Sequence, residues 1–201
     1  MNVYNIVLAG VGGQGIITIG KIIVEAALRE NKNAVMSEVH GMAQRGGSVL
    51  SEVRIGDALS SIIPSGEADL VIGFELIEPL RYIEKFGEKT ILLVNNDRIM
   101  SLPTLLGEEE YPPSESVIAE MKKLVKELYV INASKLAKEA GSPLSMNMVM
   151  LGAALALGMP IHLETVKEVL RERFKGRVLE INEKALDLGF NTIKKMKNEI
   201  H

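Results

Sequence analysis

The 201-residue chain has no cysteine and no tryptophan, and Phe, Trp and Tyr together make up 4% of it. Without cysteine there are no disulfides and no thiolate nucleophile. Zinc–thiolate sites and iron–sulfur clusters ligated by the chain's own thiolates are excluded as well. With so few aromatics, Ile, Val, Leu, Ala and Met must fill the core. There is no surplus of basic residues: the net charge is −3, which argues against nucleic-acid or anionic-membrane partners. Long apolar runs are missing too. The longest, Met148 to Gly158, falls short of the roughly 20 residues that span a bilayer. The start, Met1-Asn2-Val3-Tyr4, has neither the basic residues nor the uninterrupted apolar stretch of a signal peptide. A cytoplasmic protein with no membrane segment is expected. The length predicts one domain over residues 1–201.

What is present is a hydrophobic content of 47%, arranged in short runs. Asn5–Ala9, Ala34–Val39, Leu70–Gly73, Thr90–Val94 and Tyr129–Ile131 read as strands. Most are apolar at consecutive positions, as in parallel sheets covered on both faces. Between them lie helical patterns over Gly15–Leu28, Leu76–Phe86 and Glu115–Leu128. Leu102–Ser114, with three prolines and three consecutive glutamates, reads as an exposed loop. Pro143–Gly158 is apolar nearly all round from Met148 and predicts a buried helix. Two amphipathic patterns follow it, so the last third is helical. Ser48–Ile55, the turn Gly56-Asp57 and Ala58–Ile63 read as a β-hairpin. The expected class is α/β: a Rossmann-like, mostly parallel sheet with an inserted β-hairpin and a helical C-terminal third.

Two stretches carry chemistry. The first, Gly10-Val11-Gly12-Gly13-Gln14-Gly15, sits between the first strand and the first helix. In that order, glycines let the backbone turn and expose N–H groups, and the helix N-terminus adds partial positive charge. A kinase-type phosphate loop would need Lys after the last glycine, where Ile16 stands. A dinucleotide dehydrogenase is favoured by Glu38 at the end of the second strand. It is disfavoured by the lack of a Tyr-x-x-x-Lys pair. The glycines also suit a purely structural role, tight strand-to-helix packing. The second stretch, Ser37-Glu38-Val39-His40-Gly41-Met42-Ala43-Gln44-Arg45-Gly46-Gly47-Ser48-Val49, holds Gln44, Arg45, Gly46 and Gly47. They form either an anion cradle or a tight turn with a solvated Arg. His40 could titrate near neutrality or serve structure.

Other groups are weaker signals. Met146, Met148 and Met150 suit core packing or an adaptable partner surface. Arg171, Arg173, Lys175 and Arg177 suit a dipole-matched helix end or a phosphate contact. His162 and His201 have no ligand-like spacing, so no metal site is expected.

Taken together, the two glycine-bearing stretches resemble the gamma-type domain family of the 2-oxoacid:ferredoxin oxidoreductases. The Glu-Val-His-Gly-Met-Ala-Gln run before Arg45 is similar to the family's aryl branch. The resemblance implies that an arylpyruvate, such as indolepyruvate, is decarboxylated on thiamine diphosphate. Electrons then pass through iron–sulfur clusters to ferredoxin, and coenzyme A takes the acyl group. It implies that thiamine diphosphate, Mg and the clusters belong to a large alpha subunit, so this chain works in a hetero-oligomer and is inactive alone. Gly10, Gly12, Gly13, Gln14 and Gly15, with His40, Gln44, Arg45, Gly46 and Gly47, would then face the partner or the coenzyme A path. A stand-alone nucleotide- or coenzyme A-binding module is the alternative.

Overall fold

A computed structural model describes residues 3–40, 47–99 and 111–200. Its centre is a six-stranded sheet of order β2-β3-β1-β4-β5-β6. The strands are β1 (Tyr4–Val11), β2 (Ala34–His40), β3 (Ser48–Ile55), β4 (Leu70–Gly73), β5 (Ile91–Asn95) and β6 (Glu127–Ile131). β1, β4, β5 and β6 pair in parallel. β3 runs antiparallel to both β1 and β2, so it alone opposes the other strands. β4 is buried at every position, as its unbroken apolar run demands.

Alternation along the strands divides the core in two. Ile6, Leu8, Leu70, Ile72 and Leu93 point to one face. Helices α1 (Ile16–Arg29), α3 (Ala133–Ala140), α4 (Met146–Ala156), α5 (Leu163–Arg173) and α6 (Gly176–Ile200) supply the rest of that cluster. Val7, Val71, Leu92 and Val94 point to the other face, against Ile63 and helix α2 (Ser114–Leu124), where Val117 and Met121 are buried. A kinked 3-10 helix, Glu78–Lys85, connects β4 to β5. α4 is buried from Met146 to Leu155, as its all-round apolar pattern predicts.

The expected hairpin is present but formed by other strands. β3 pairs with β2 across residues 41–47, with Val39 opposite Leu50 and Ala34 opposite Ile55. It does not pair with Ala58–Ile63, which carries no strand. That segment lies over the sheet: Arg54 donates to the carbonyls of Ser60 and Ile62, and Ile63 is buried. Beneath it is a buried ion pair, Glu52 to Lys85 at 3.0 Å. Lys85 also donates to the Ile63 carbonyl at 2.7 Å. Within 58–63 the core anchor is Ile63, while Leu59 and Ile62 are exposed, so the segment's apolar content does not make a strand face.

Two further boundaries differ from the sequence reading. The helix expected to Leu128 stops at Leu124, because Glu127–Ile131 is claimed by pairing with β5. α3 escaped the sequence reading although Ala133, Leu136, Ala137 and Ala140 repeat at helical spacing; Asn132 caps it by accepting from Lys135 N–H at 2.9 Å. Of the expected loop 102–114, residues 102–110 lie outside the described residues. No helix among the described residues is long and apolar enough to cross a membrane.

Candidate functional site

The connection after β1 leads to the β2–β3 side of the sheet, and the one after β4 leads the other way to β5. The order therefore reverses between β1 and β4. Ligands of open α/β sheets bind in the crevice at such a point, beyond the carboxyl ends of the strands. The Gly10–Gly15 loop leaves β1 there, and Phe74-Glu75 leaves β4 beside it.

Each residue of the loop has a distinct role. Gly10 lies so close to the Gln14 amide, Ile16 and Phe74 that a Cβ would overlap them. The Gln14 side chain turns inward: its Oε1 accepts from Val11 N–H at 2.7 Å, and its Nε2 donates to the Phe74 carbonyl at 2.9 Å. Gly13 has φ +101° and open space where a side chain would stand. Gly15 is left-handed at φ +76° and caps α1 without a side chain. A Cβ there would meet the amide of Asn147. The loop thus presents backbone to the crevice rather than the Gln14 side chain.

Gly12 ties this loop to the second stretch. Its N–H donates to the Gly47 carbonyl at 2.8 Å. Because β3 lies antiparallel between β1 and β2, the carboxyl ends of both β1 and β2 reach the same edge as the start of β3. His40 ends β2, opposite Val49. Gln44, Arg45 and Gly46 lie outside the described residues, between these two anchored ends.

The same geometry departs from a dinucleotide site. β3 separates β2 from β1, so Glu38 sits two strand spacings from β1, about 10 Å. It lies 3.9 Å from Lys21 of α1. A ribose-binding acid belongs on the adjacent strand.

Sequence reasoning missed the polar groups on the β4 and β5 side. Glu75 is buried and accepts from Ile77 N–H at 2.7 Å and Glu78 N–H at 3.1 Å. Its other oxygen accepts from Ile99 N–H at 3.1 Å and from the Tyr111 hydroxyl at 2.5 Å. Burial, then the bond to Glu75 and its charge, push the Tyr111 hydroxyl well above the usual phenol range. Asn95 donates to the Phe74 carbonyl at 3.3 Å and accepts from Ala133 N–H at 3.0 Å. The one available signal was Glu75, an acid directly after the apolar run of β4 and shortly before Pro79.

Most of the remaining candidates have structural partners. Met146, Met148 and Met150 are buried. Arg171 pairs with Glu183 at 2.8 Å and Arg173 with Glu25 at 2.5 Å, while Lys175 donates to the Arg171 carbonyl. His162 stands 3.0 Å from Glu30. Among the described residues, no three His, Asp or Glu side chains converge as metal ligands. With no cysteine in the chain, the donor set does not suit an iron–sulfur cluster.

The structure is thus a doubly wound α/β module whose glycine loop after β1 lies at the switch-point crevice and is tied to Gly47 at the start of β3. A family model for pyruvate ferredoxin/flavodoxin oxidoreductases matches residues 5–192. The chain belongs to that family, as an oxidoreductase subunit of the 2-oxoacid:ferredoxin type. It is 43% identical over 188 residues to an indolepyruvate oxidoreductase subunit IorB of Methanothermobacter thermautotrophicus, covering 93% of this chain and 96% of that one. A keto/oxoacid ferredoxin oxidoreductase gamma subunit of Geobacter sulfurreducens superposes with TM-score 0.70 at 28% identity, covering 96% of this chain and 99% of its own. A 2-oxoglutarate:ferredoxin oxidoreductase of Magnetococcus marinus superposes with TM-score 0.74 at 26% identity. There the match takes in 97% of this chain but 32% of the other.

Proposed function

We propose that the chain is the cluster-free subunit of an arylpyruvate:ferredoxin oxidoreductase that releases CO2 and forms arylacetyl-CoA in the cytoplasm. It acts as one domain over residues 1–201 in a hetero-oligomer. A large subunit holds thiamine diphosphate, Mg and the iron–sulfur clusters, ferredoxin takes the electrons, and coenzyme A is cosubstrate. The identity with a relative named for indolepyruvate supports the aryl preference. The lack of any cysteine supports the division of cofactors between chains. Cofactors carry the difficult chemistry in such enzymes, and the protein supplies binding and orientation.

The observation that supports the site assignment is the Gly12–Gly47 bond, which ties the first loop to the end of the second stretch. At that site, Gly10 and Gln14 hold the loop's shape, and Gly12, Gly13 and Gly15 expose its backbone. Arg45 is assigned to anion contact, His40 and Gln44 to polar positioning, and Gly46 and Gly47 to the close approach of the second turn. The test is to assay arylpyruvate-dependent reduction of ferredoxin or a dye, with this chain alone and with the co-expressed large subunit. Turnover is expected only from the pair. Arg45→Ala is expected to leave assembly intact and cut turnover about tenfold or more, as loss of a charged contact does. Full activity from this chain alone contradicts the reading.

A further inference from the structure

β6 is the outer strand of the sheet on the side away from β2. Its backbone pairs with β5, and no other described strand pairs with it. An outer strand offers its free N–H and C=O groups to a further strand. Beside it lies a groove of about 670 Å³. Three lysines line this groove: Lys122 of α2, Lys126 just ahead of β6 and Lys197 of α6. Glu127 is the one acid among its lining residues. That carboxylate is already engaged, accepting from the Tyr129 hydroxyl at 2.7 Å and standing 3.8 Å from Lys126. Among the described residues, Lys122 and Lys197 have no carboxylate at ion-pair distance. Lys197 donates to the Ala156 carbonyl at 3.3 Å instead. The groove is therefore positive, in a chain whose net charge is −3.

The lysines stand on both sides of the sheet. α2 covers one face and α6 the other, so Lys122 and Lys197 flank β6 from opposite faces. An added strand sends successive side chains to opposite faces. Acidic residues at neighbouring positions of one extended segment thus reach both lysines. A helix aligns its side chains three or four residues apart on one face, and so meets one lysine only. A second copy of this chain is a poor occupant, because pairing β6 with β6 sets like charges against each other.

We infer that β6 receives an extended, acidic segment of the large partner subunit, which adds to the sheet as a further strand. The inference rests on the reading of the chain as one subunit of a larger enzyme. Lys122→Glu combined with Lys126→Glu reverses two exposed charges. The double variant is expected to bind the large subunit about tenfold or more weakly, with the melting temperature of the free chain unchanged. Added salt is expected to weaken the wild-type complex and to leave the variant's affinity nearly level. In the wild-type complex, amide hydrogens of Glu127–Ile131 are expected to exchange more slowly than in the free chain. If a complex that turns over arylpyruvate shows either the affinity or the exchange unaltered, the inference is overturned and the proposed function stands. Lysines on outer strands can also serve only to keep the strand unpaired. In that case Lys122→Ala with Lys126→Ala makes the free chain self-associate and leaves its affinity for the large subunit unchanged, which overturns the inference. Slowed exchange in the free wild-type chain that grows with its own concentration assigns the edge to a second copy and also overturns it. Failure of the wild-type chain to assemble with the large subunit overturns both the inference and the proposed function.

Discussion

Gln14 and Phe74 are joined by a 2.9 Å hydrogen bond between a side-chain amide and a main-chain carbonyl. The bond closes the gap between the ends of β1 and β4, where the sheet reverses its order. The same carbonyl accepts from Asn95, so one oxygen fastens the glycine loop, β4 and β5. This fastening holds the glycine loop against β4 and β5.

Replacing Gln14 by Leu keeps the volume and removes both bonds. Phe74 retains Asn95, but Val11 N–H loses its acceptor inside a buried strand end. The expected cost is about 1–3 kcal/mol, a fall in melting temperature of roughly 2–4 °C per kcal/mol for a chain of this size. Thermal unfolding checks it; a Gln14→Leu variant as stable as the wild type removes the fastening role.

Gly152 of α4 and Gly189 of α6 face each other's helices at a backbone-to-backbone crossing. A Cβ on Gly152 would overlap the Leu186 carbonyl, and one on Gly189 the Val149 carbonyl. Ala in place of Gly ordinarily adds up to about 1 kcal/mol of helix stability. Here backbone atoms cannot rotate aside, and overpacking of about 1–3 kcal/mol dominates. Gly152→Ala and Gly189→Ala are each expected to lower the urea midpoint. The double variant should cost less than the two singles together, since once the helices separate both clashes are relieved. A raised midpoint would show that the crossing is loose.

Glu30 joins the end of α1 to the start of α5. Burial alone would raise its carboxyl. Hydrogen bonds from Lys32, the His162 backbone, Thr165 and the His162 ring outweigh that and hold it at about 2, against an ordinary 4.5. A carboxylate lowered in the folded state stabilises the fold above its unfolded pKa, and that contribution is lost as pH falls towards the folded value. The wild type is therefore expected to melt above Glu30→Gln at about pH 7, and the gap should close between about pH 4.5 and pH 2. A gap that does not change with pH removes the carboxylate from the account.

Much of this was legible in order along the chain. Strands β1 and β4 announced themselves by unbroken apolar runs, and α4 by an apolar surface all round. Both signals are local, because burial on all sides leaves no polar positions. The partner of β3 was not legible. Ala58–Ile63 has the apolar content of a strand and follows a good turn, yet it drapes over the sheet above the Glu52–Lys85 pair and sends Ile63 into the core while Leu59 and Ile62 stay exposed. α3 was missed although Ala133, Leu136, Ala137 and Ala140 keep helical spacing, because it is only eight residues long and its apolar face is mostly alanine.

The candidate site divides in the same way. Composition predicts a turn for Gly10–Gly15, which the structure shows, and for His40–Gly47, of which residues 41–46 lie outside the described residues. That Gly12 bonds to Gly47 is tertiary. It depends on β3 inserting antiparallel between β1 and β2, which returns the start of β3 to the edge where β1 ends. Pairing between distant strands is set by which register buries the whole core, a property of no single segment. The insertion also moved Glu38 away from the crevice and left Gln14 as an internal brace, two outcomes that spacing along the chain does not encode.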